Sequence, residues 1–255
     1  MTTLALIQAR MGSTRFPGKV LADLHGRPML THIIERLHRA ATVDGVVVAT
    51  TVEAADDAVA SVAAAAGAMV TRGSADDVLG RFLLAAHEHR ADVVVRITAD
   101  CPLVDPDVVD EVARRRAEQG AEYAGNVAPA TYPDGYDVEV MTIACLERLD
   151  REAVAPYERE HVTARIREHP GEYSTVNVVR DPDVSSVRLT VDVPADLERV
   201  AAVLAALPAS PPPGLAAVLG SLDSRANLAD QSGLPRRDER YRAQREAMLR
   251  QETSE

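Results

Sequence analysis

Short runs of valine, isoleucine and leucine alternate along this chain with stretches whose apolar residues recur at helical spacing, and that rhythm leaves few folds open. Residues 4–8 read as a strand, and Met29, Leu30, Ile33, Ile34 and Leu37 then fall on one face of a helix. The pattern repeats as strand 45–51, helix 53–66, short strand 68–71, helix 76–90 and a continuous apolar strand at 92–98. Asp105 and Pro106 supply an N-cap and a first-turn proline for the next helix. This β-α alternation predicts an α/β fold built on a parallel sheet, with helices on both faces. Past residue 122 the rhythm loosens. A Pro/Gly-marked loop at 129–135 leads to a strand near 137–143, helices near Cys145 and Glu160, strands near 173–179 and 186–191, and a helix opened by Pro194.

A chain of 255 residues can bury a core without staples, and its two cysteines, Cys101 and Cys145, offer neither a disulfide framework nor a structural zinc site. The prolines between 208 and 214 form a stiff connector. The division expected is a globular domain over 1–220 and a polar, partly helical tail over 221–255, with 236–251 a charged, solvated helix. A formal charge of −11 argues against nucleic-acid or anionic-membrane partners. No apolar run approaches the length of a membrane span, so the expected location is cytoplasmic.

Directly after the first strand comes QARMGSTRFPGK, which holds Gln8, Ala9, Arg10, Met11, Gly12, Ser13, Arg15 and Lys19. Glycines let backbone N–H groups approach phosphate oxygens, and three cations neutralise several negative charges at once. The loop is no Walker motif: five residues separate Gly12 from Gly18, and Val20 stands where a magnesium-binding hydroxyl is needed. Asp100 follows the buried strand at 93–98, in the crevice where open parallel sheets bind ligands. Its setting, T-x-D-x-P at 98–102, recurs at 190–194 around Asp192, which is expected to end a strand of its own. Taken singly, either aspartate reads as a helix cap; taken with the basic loop, the pair suits Mg²⁺, which needs few carboxylates when phosphates complete its shell.

These segments carry a resemblance. QARMGSTRFPGKVL, TRGSADDVLGRF (71–82), RITADCPLVDP (96–106), YPDGYDVEV (132–140), EREHVT (158–163) and RLTVDVPADLE (188–198) occur in order. Together they resemble the cytidylyltransferases of the spore-coat polysaccharide biosynthesis type, relatives of the acylneuraminate and deoxyoctulosonate cytidylyltransferases. RRDERY (236–241) loosely resembles that group's C-terminal end. The resemblance implies a Rossmann-like nucleotide-diphosphosugar transferase fold with a mostly parallel mixed sheet. It also implies CTP held by the first loop, Mg²⁺ on Asp100 and Asp192, Arg72, Gly73 and Ser74 near the nucleoside, and a homodimer.

The expected reaction is transfer of CMP from CTP to a hydroxyl of a small sugar or sugar-acid-like acceptor, with release of pyrophosphate. Arg10, Arg15 and Lys19 hold the triphosphate in this reading, and Arg15, Lys19, Asp100 and Asp192 carry the chemistry. The acceptor is assigned to Asp137, Glu139, Glu160 and His161, with any acceptor carboxylate met by Arg159, Arg165 or His161. Two rivals remain at this stage. A glycosyltransferase of related fold normally carries D-x-D, and Asp100-Cys101-Pro102 lacks the second aspartate. A non-catalytic nucleotide-binding protein has no reason to keep both the basic loop and the two aspartates, unless it senses a pathway.

Overall fold

The first strand, β1 (Thr3–Gln8), buries Leu4, Ala5, Leu6 and Ile7 in succession, which a strand can do only when both of its faces are covered. In the computed structural model residues 1–208, 210–223, 237, 242–243 and 245–246 are described. A small hairpin, β2 (Asp23–Leu24) and β3 (Arg27–Pro28), leads into α1 (Met29–Leu37), β4 (Gly45–Thr51), α2 (Asp57–Ala65), β5 (Met69–Gly73) and α3 (Val78–Glu88). Next come β6 (Val93–Thr98), α4 (Pro106–Gln119), β7 (Tyr123–Gly125), β8 (Glu139–Thr142), α5 (Ile143–Glu152), α6 (Pro156–His161) and α7 (Ala164–Glu168). β9 (Thr175–Asn177), α8 (Pro194–Ala205) and α9 (Leu215–Asp223) complete the order.

Seven strands form one sheet in the order β5-β4-β1-β6-β8-β7-β9. β5, β4, β1 and β6 pair in parallel, while β8 runs antiparallel to β6 and β7. The expected mostly parallel mixed sheet is therefore present. Alternate residues of β1 feed two cores: Ala5 and Ile7 pack with α1, α2 and α4, and Leu4 and Leu6 pack with α3 and α5. Gln8, the last residue of β1, stands opposite Thr98, the last of β6, so these two strands end level. That register brings the loop after β1 beside the turn after β6.

Asp105 caps α4 by accepting from the Asp107 N–H at 2.9 Å, with Pro106 in the first turn, as the sequence indicates. The expected strand at 186–191 is a correction: Arg188 makes one isolated bridge, to Asp134. The segment is bonded at single points instead, with Asp134 N–H on the Val187 carbonyl and Leu189 N–H on the Asp134 carbonyl. Gly135, at φ 105°, lies so close to the Leu189–Thr190 backbone that a Cβ would collide with it at 2.6 Å. β7 and the β2–β3 hairpin escaped the sequence reading, since neither is long enough to show a period, and α9 after the proline connector was not expected either. The connector before α9 is held by Arg36, which donates to the Pro213 carbonyl at 3.0 Å. α9 runs past residue 220, and the expected helix at 236–251 lies largely outside the described residues. No helix among the described residues is long and apolar enough to cross a membrane.

One ion pair fastens the parallel half of the sheet to the antiparallel half. Arg96 on β6 faces Glu139 on β8 in register, and its guanidinium donates to that carboxylate. Tyr123 and Thr163 hydroxyls donate to the same carboxylate at 2.6 and 2.7 Å. Burial alone pushes the Glu139 carboxyl up, but Arg96, Arg167 and the two hydroxyls outweigh it and hold the group below the usual range. Arg96→Met leaves a buried carboxylate without its guanidinium and should cost about 3–5 kcal/mol in chemical denaturation. Adding Glu139→Gln should recover much of that loss; an Arg96→Met protein of wild-type stability shows that the pair does not hold the sheet.

Candidate functional site

The loop leaving β1 is shaped by its own backbone and pinned by one carboxylate. The Met11 carbonyl accepts from the N–H groups of Ser13 at 2.9 Å and Gly18 at 3.0 Å, and Gly18 turns at φ 73°. The Met11 N–H donates to buried Asp56 at 2.7 Å. Gln8, Arg10, Gly12, Ser13, Arg15 and Lys19 line a cavity of about 290 Å³ at the carboxyl edge of the sheet. Ala9 lines a smaller adjoining cavity with Arg10, Arg81 and Glu160, and Met11 packs against the core. Arg72, Gly73 and Ser74 line neither. Arg72 is occupied by the Thr51 and Glu53 carbonyls and by Asp57, because β5 ends two strands away from β1.

Asp100 and Asp192 both line the cavity. Although no strand precedes Asp192, Val191 N–H donates to the Asp100 carbonyl at 2.8 Å and the Thr190 hydroxyl to the same oxygen at 3.1 Å. Those bonds bring the two T-x-D-x-P segments together. Lys19 Nζ donates to Asp192 at 2.9 Å and to the Val191 carbonyl at 2.7 Å, and stands 3.5 Å from Asp100. Burial by itself lowers the Lys19 ammonium, but the two aspartates outweigh it and raise the group above its ordinary value. Burial works on Asp192 in the opposite direction, and Lys19, Arg15 and Arg188 more than offset it, so this carboxyl sits below the usual range. Arg15 reaches Asp192 at 3.0 Å.

These carboxylates are a fitting donor set for a divalent cation. Two hard oxygen donors already share one cation, the Lys19 ammonium, and a triphosphate-bound Mg²⁺ or Mn²⁺ asks for no more protein ligands than that. Among the described residues no cluster of three or more His, Cys, Asp or Glu side chains forms a closed metal cage.

The acceptor residues are only partly assembled as expected. Asp137, Glu139, Glu160 and His161 line the cavity. Glu139 is committed to Arg96, Tyr123 and Thr163, so it anchors the wall from within. Arg159 and Arg165 are corrections: neither lines the cavity. Arg159 is clamped by Asp77 at 2.6 Å and Asp150 at 2.7 Å, and Arg165 stands 3.1 Å from Glu152. The α3 cap Asp77 and the α5 acids Asp150 and Glu152 hold them. Cys101 lines the cavity but is buried, and burial beside Asp100 lifts its thiol well above the ordinary value, which removes it as a nucleophile.

Sequence reasoning missed Arg96, Arg167, Arg188 and Arg237, which line the cavity together with Asp134 of the YPDGYDVEV segment. A charge in the middle of the apolar run VVVRIT was a visible signal for Arg96. Arg188 donates to Asp134 at 2.8 Å, Asp192 at 3.1 Å and Asp196 at 2.9 Å; the last two are near in sequence, but no local pattern announces that Asp134 shares the same guanidinium. Asp196 in turn accepts from the N–H groups of Asp192 and Val193, which fixes the entry to α8.

A family model described as cytidylyltransferase matches residues 4–201. The chain is 34% identical over 212 residues to the spore coat polysaccharide biosynthesis protein SpsF of Bacillus subtilis, covering 78% of this chain and 85% of that protein. It is 31% identical over 242 residues to a 3-deoxy-manno-octulosonate cytidylyltransferase of Anaeromyxobacter sp., covering 80% and 97%. A solved structure of a cytidylyltransferase from Leptospira borgpetersenii matches with a TM-score of 0.87 at 32% identity, over 92% of this chain and all of that one.

Asp134 is the group under electrostatic tension. Burial raises it most; Arg188 and Arg237 oppose that, Asp100 and Asp192 reinforce it, and the carboxyl is pushed up to about 6. Because its folded-state value lies above the unfolded one, the folded protein binds the extra proton. The stability it contributes is present below about pH 4 and is lost as pH rises toward about 6. Asp134→Asn should flatten the stability–pH curve in that window, measured by denaturant midpoints from pH 4 to 7. An unchanged slope shows that another group titrates there.

Proposed function

The chain belongs to the cytidylyltransferase family, and on that premise we propose that it transfers CMP from CTP, with a divalent metal, to a hydroxyl of a sugar or sugar-acid-like acceptor and releases pyrophosphate. The observation that carries the reading is the meeting of Lys19 with Asp100 and Asp192 at the floor of the cavity. The names of the relatives point to the same chemistry, with polysaccharide building and a 2-keto sugar acid as its settings.

Arg10 and Arg15 present guanidinium forks to the triphosphate oxygens, which suits bidentate contact. Lys19, kept protonated by its two aspartates, supplies a fixed positive charge where the negative charge of the leaving pyrophosphate gathers. A divalent metal on Asp100 and Asp192 supplies Lewis-acid neutralisation of the phosphates when bound. The acceptor oxygen forms its bond to the α-phosphorus as the bond to the bridging oxygen breaks. Asp137, Glu160 and His161 line the same cavity, where they orient the acceptor for that in-line approach.

Asp100→Asn and Asp192→Asn should each lower turnover on the order of 10²-fold, read as pyrophosphate release. If the two act as one unit, the double variant loses far less than the product of the single losses. Modest, additive losses with unchanged metal dependence would make both residues structural partners of Lys19 rather than parts of the reaction. CTP with Mg²⁺ should also raise the melting temperature more than ATP, GTP or UTP do, since binding to the native state alone stabilises it by mass action. Equal shifts for all four nucleotides would defeat the cytidine assignment.

A further inference from the structure

The far wall of the cavity carries Asp134, Asp137, Glu139 and Glu160, an acidic surface for a reaction whose acceptor is a sugar acid in one named relative. The fold answers three of these acids with arginines: Glu139 with Arg96, Asp134 with Arg188, and Asp137 with Arg237. The first two pairs are closed, with no side chain more than 12% exposed. The third is more open: Asp137 is 32% exposed, and Arg237 lines the cavity. Arg237 donates to the Tyr132 carbonyl at 2.9 Å and to the Asp137 carboxylate. It thus comes from beyond α9 to a loop a hundred residues upstream. Arg245, farther along the same segment, pairs with Glu168 at the end of α7, beside the cavity residue Arg167.

We propose that Arg237 is an acceptor-binding residue, whose guanidinium meets an oxyanion group of the acceptor and makes the site prefer anionic acceptors to neutral ones. The inference rests on the nucleotidyl-transfer reading. A guanidinium carries five N–H donors in a rigid fork, so two protein contacts set its orientation while it still offers donors to a carboxylate or phosphonate. The charge balance agrees. With Arg237 the wall holds Arg96, Arg167, Arg188 and Arg237 against its four carboxylates, and without it the acids outnumber the arginines. An anionic acceptor would then face more carboxylates than guanidinium groups on that wall.

The test is calorimetric titration of the full chain, loaded with Mg²⁺ and the α,β-methylene analogue of CTP, with three probes. They are 3-deoxy-manno-octulosonate, 2-hydroxyethylphosphonate and neutral 2-deoxyglucose. Wild-type protein should bind at least one of the two anions more tightly than the neutral sugar, and which anion it binds identifies the oxyanion. Arg237→Met should weaken that anion about tenfold or more, leave the nucleotide analogue unchanged, and leave the neutral probe unchanged. Arg237→Lys should recover part of the loss. Equal weakening of anionic and neutral probes would make Arg237 a loop support, and unchanged anion affinity would remove it from the site; either overturns the proposal. Wild-type protein that binds the nucleotide but neither anion overturns it as well. Wild-type protein that fails to bind the nucleotide overturns the nucleotidyl-transfer reading and this inference with it.

Discussion

Asp192 is reached by three cations: Lys19 at 2.9 Å, Arg15 at 3.0 Å and Arg188 at 3.1 Å. A part-buried carboxylate is costly unless it is paired and hydrogen-bonded, and this one is matched from both ends of the chain. Lys19 and Arg15 tie the first loop to it. Arg188 ties it to Asp134 on the loop before β8 and to Asp196 at the start of α8. Three segments remote in sequence, the loop after β1, the loop at Asp134 and the stretch 188–196, are thereby held around one oxygen-rich point. The register of the sheet makes this possible, because β1 and β6 end level and deliver their loops to the same edge.

The cavity that results is saturated with opposed charge, which suits its proposed work. Side chains already held by ion pairs need little reorganisation when an anionic ligand and a cation exchange partners with them, and such preorganisation is the main source of electrostatic catalysis. The arrangement also carries a cost, visible at Asp134. Burial, with Asp100 and Asp192 adding to it, raises Asp134 to about 6 although Arg188 lies 2.8 Å away. Stability and charge placement conflict at that residue, as is common where a site is built for ligands rather than for the empty protein.

Much of this was legible because strands and helices announce themselves by period. The buried face of α1, the Asp105–Pro106 start of α4 and the parallel half of the sheet follow from spacing alone. The basic loop and Asp100 were legible for a related reason: residues that follow a parallel strand must stand at its carboxyl edge. The segment at 186–191 misled because its apolar alternation is that of a strand, whereas its hydrogen bonds go singly to Asp134 and Asp100. Arg159 misled because its partners, Asp77 and Asp150, lie on elements that only packing brings beside α6.

By itself the sequence determined the fold class and pointed to the basic loop and the two aspartates, since each of these signals depends on residues within a few positions of one another. The tertiary structure alone decided which arginines face the cavity. Arg96, Arg188 and Arg237 pair with Glu139, Asp134 and Asp137, acids 43, 54 and 100 positions away. Arg96 shows only as a charge inside an apolar run, and Arg188 and Arg237 leave no mark in the chain, because their orientation is set by charges that meet only once the fold brings them together.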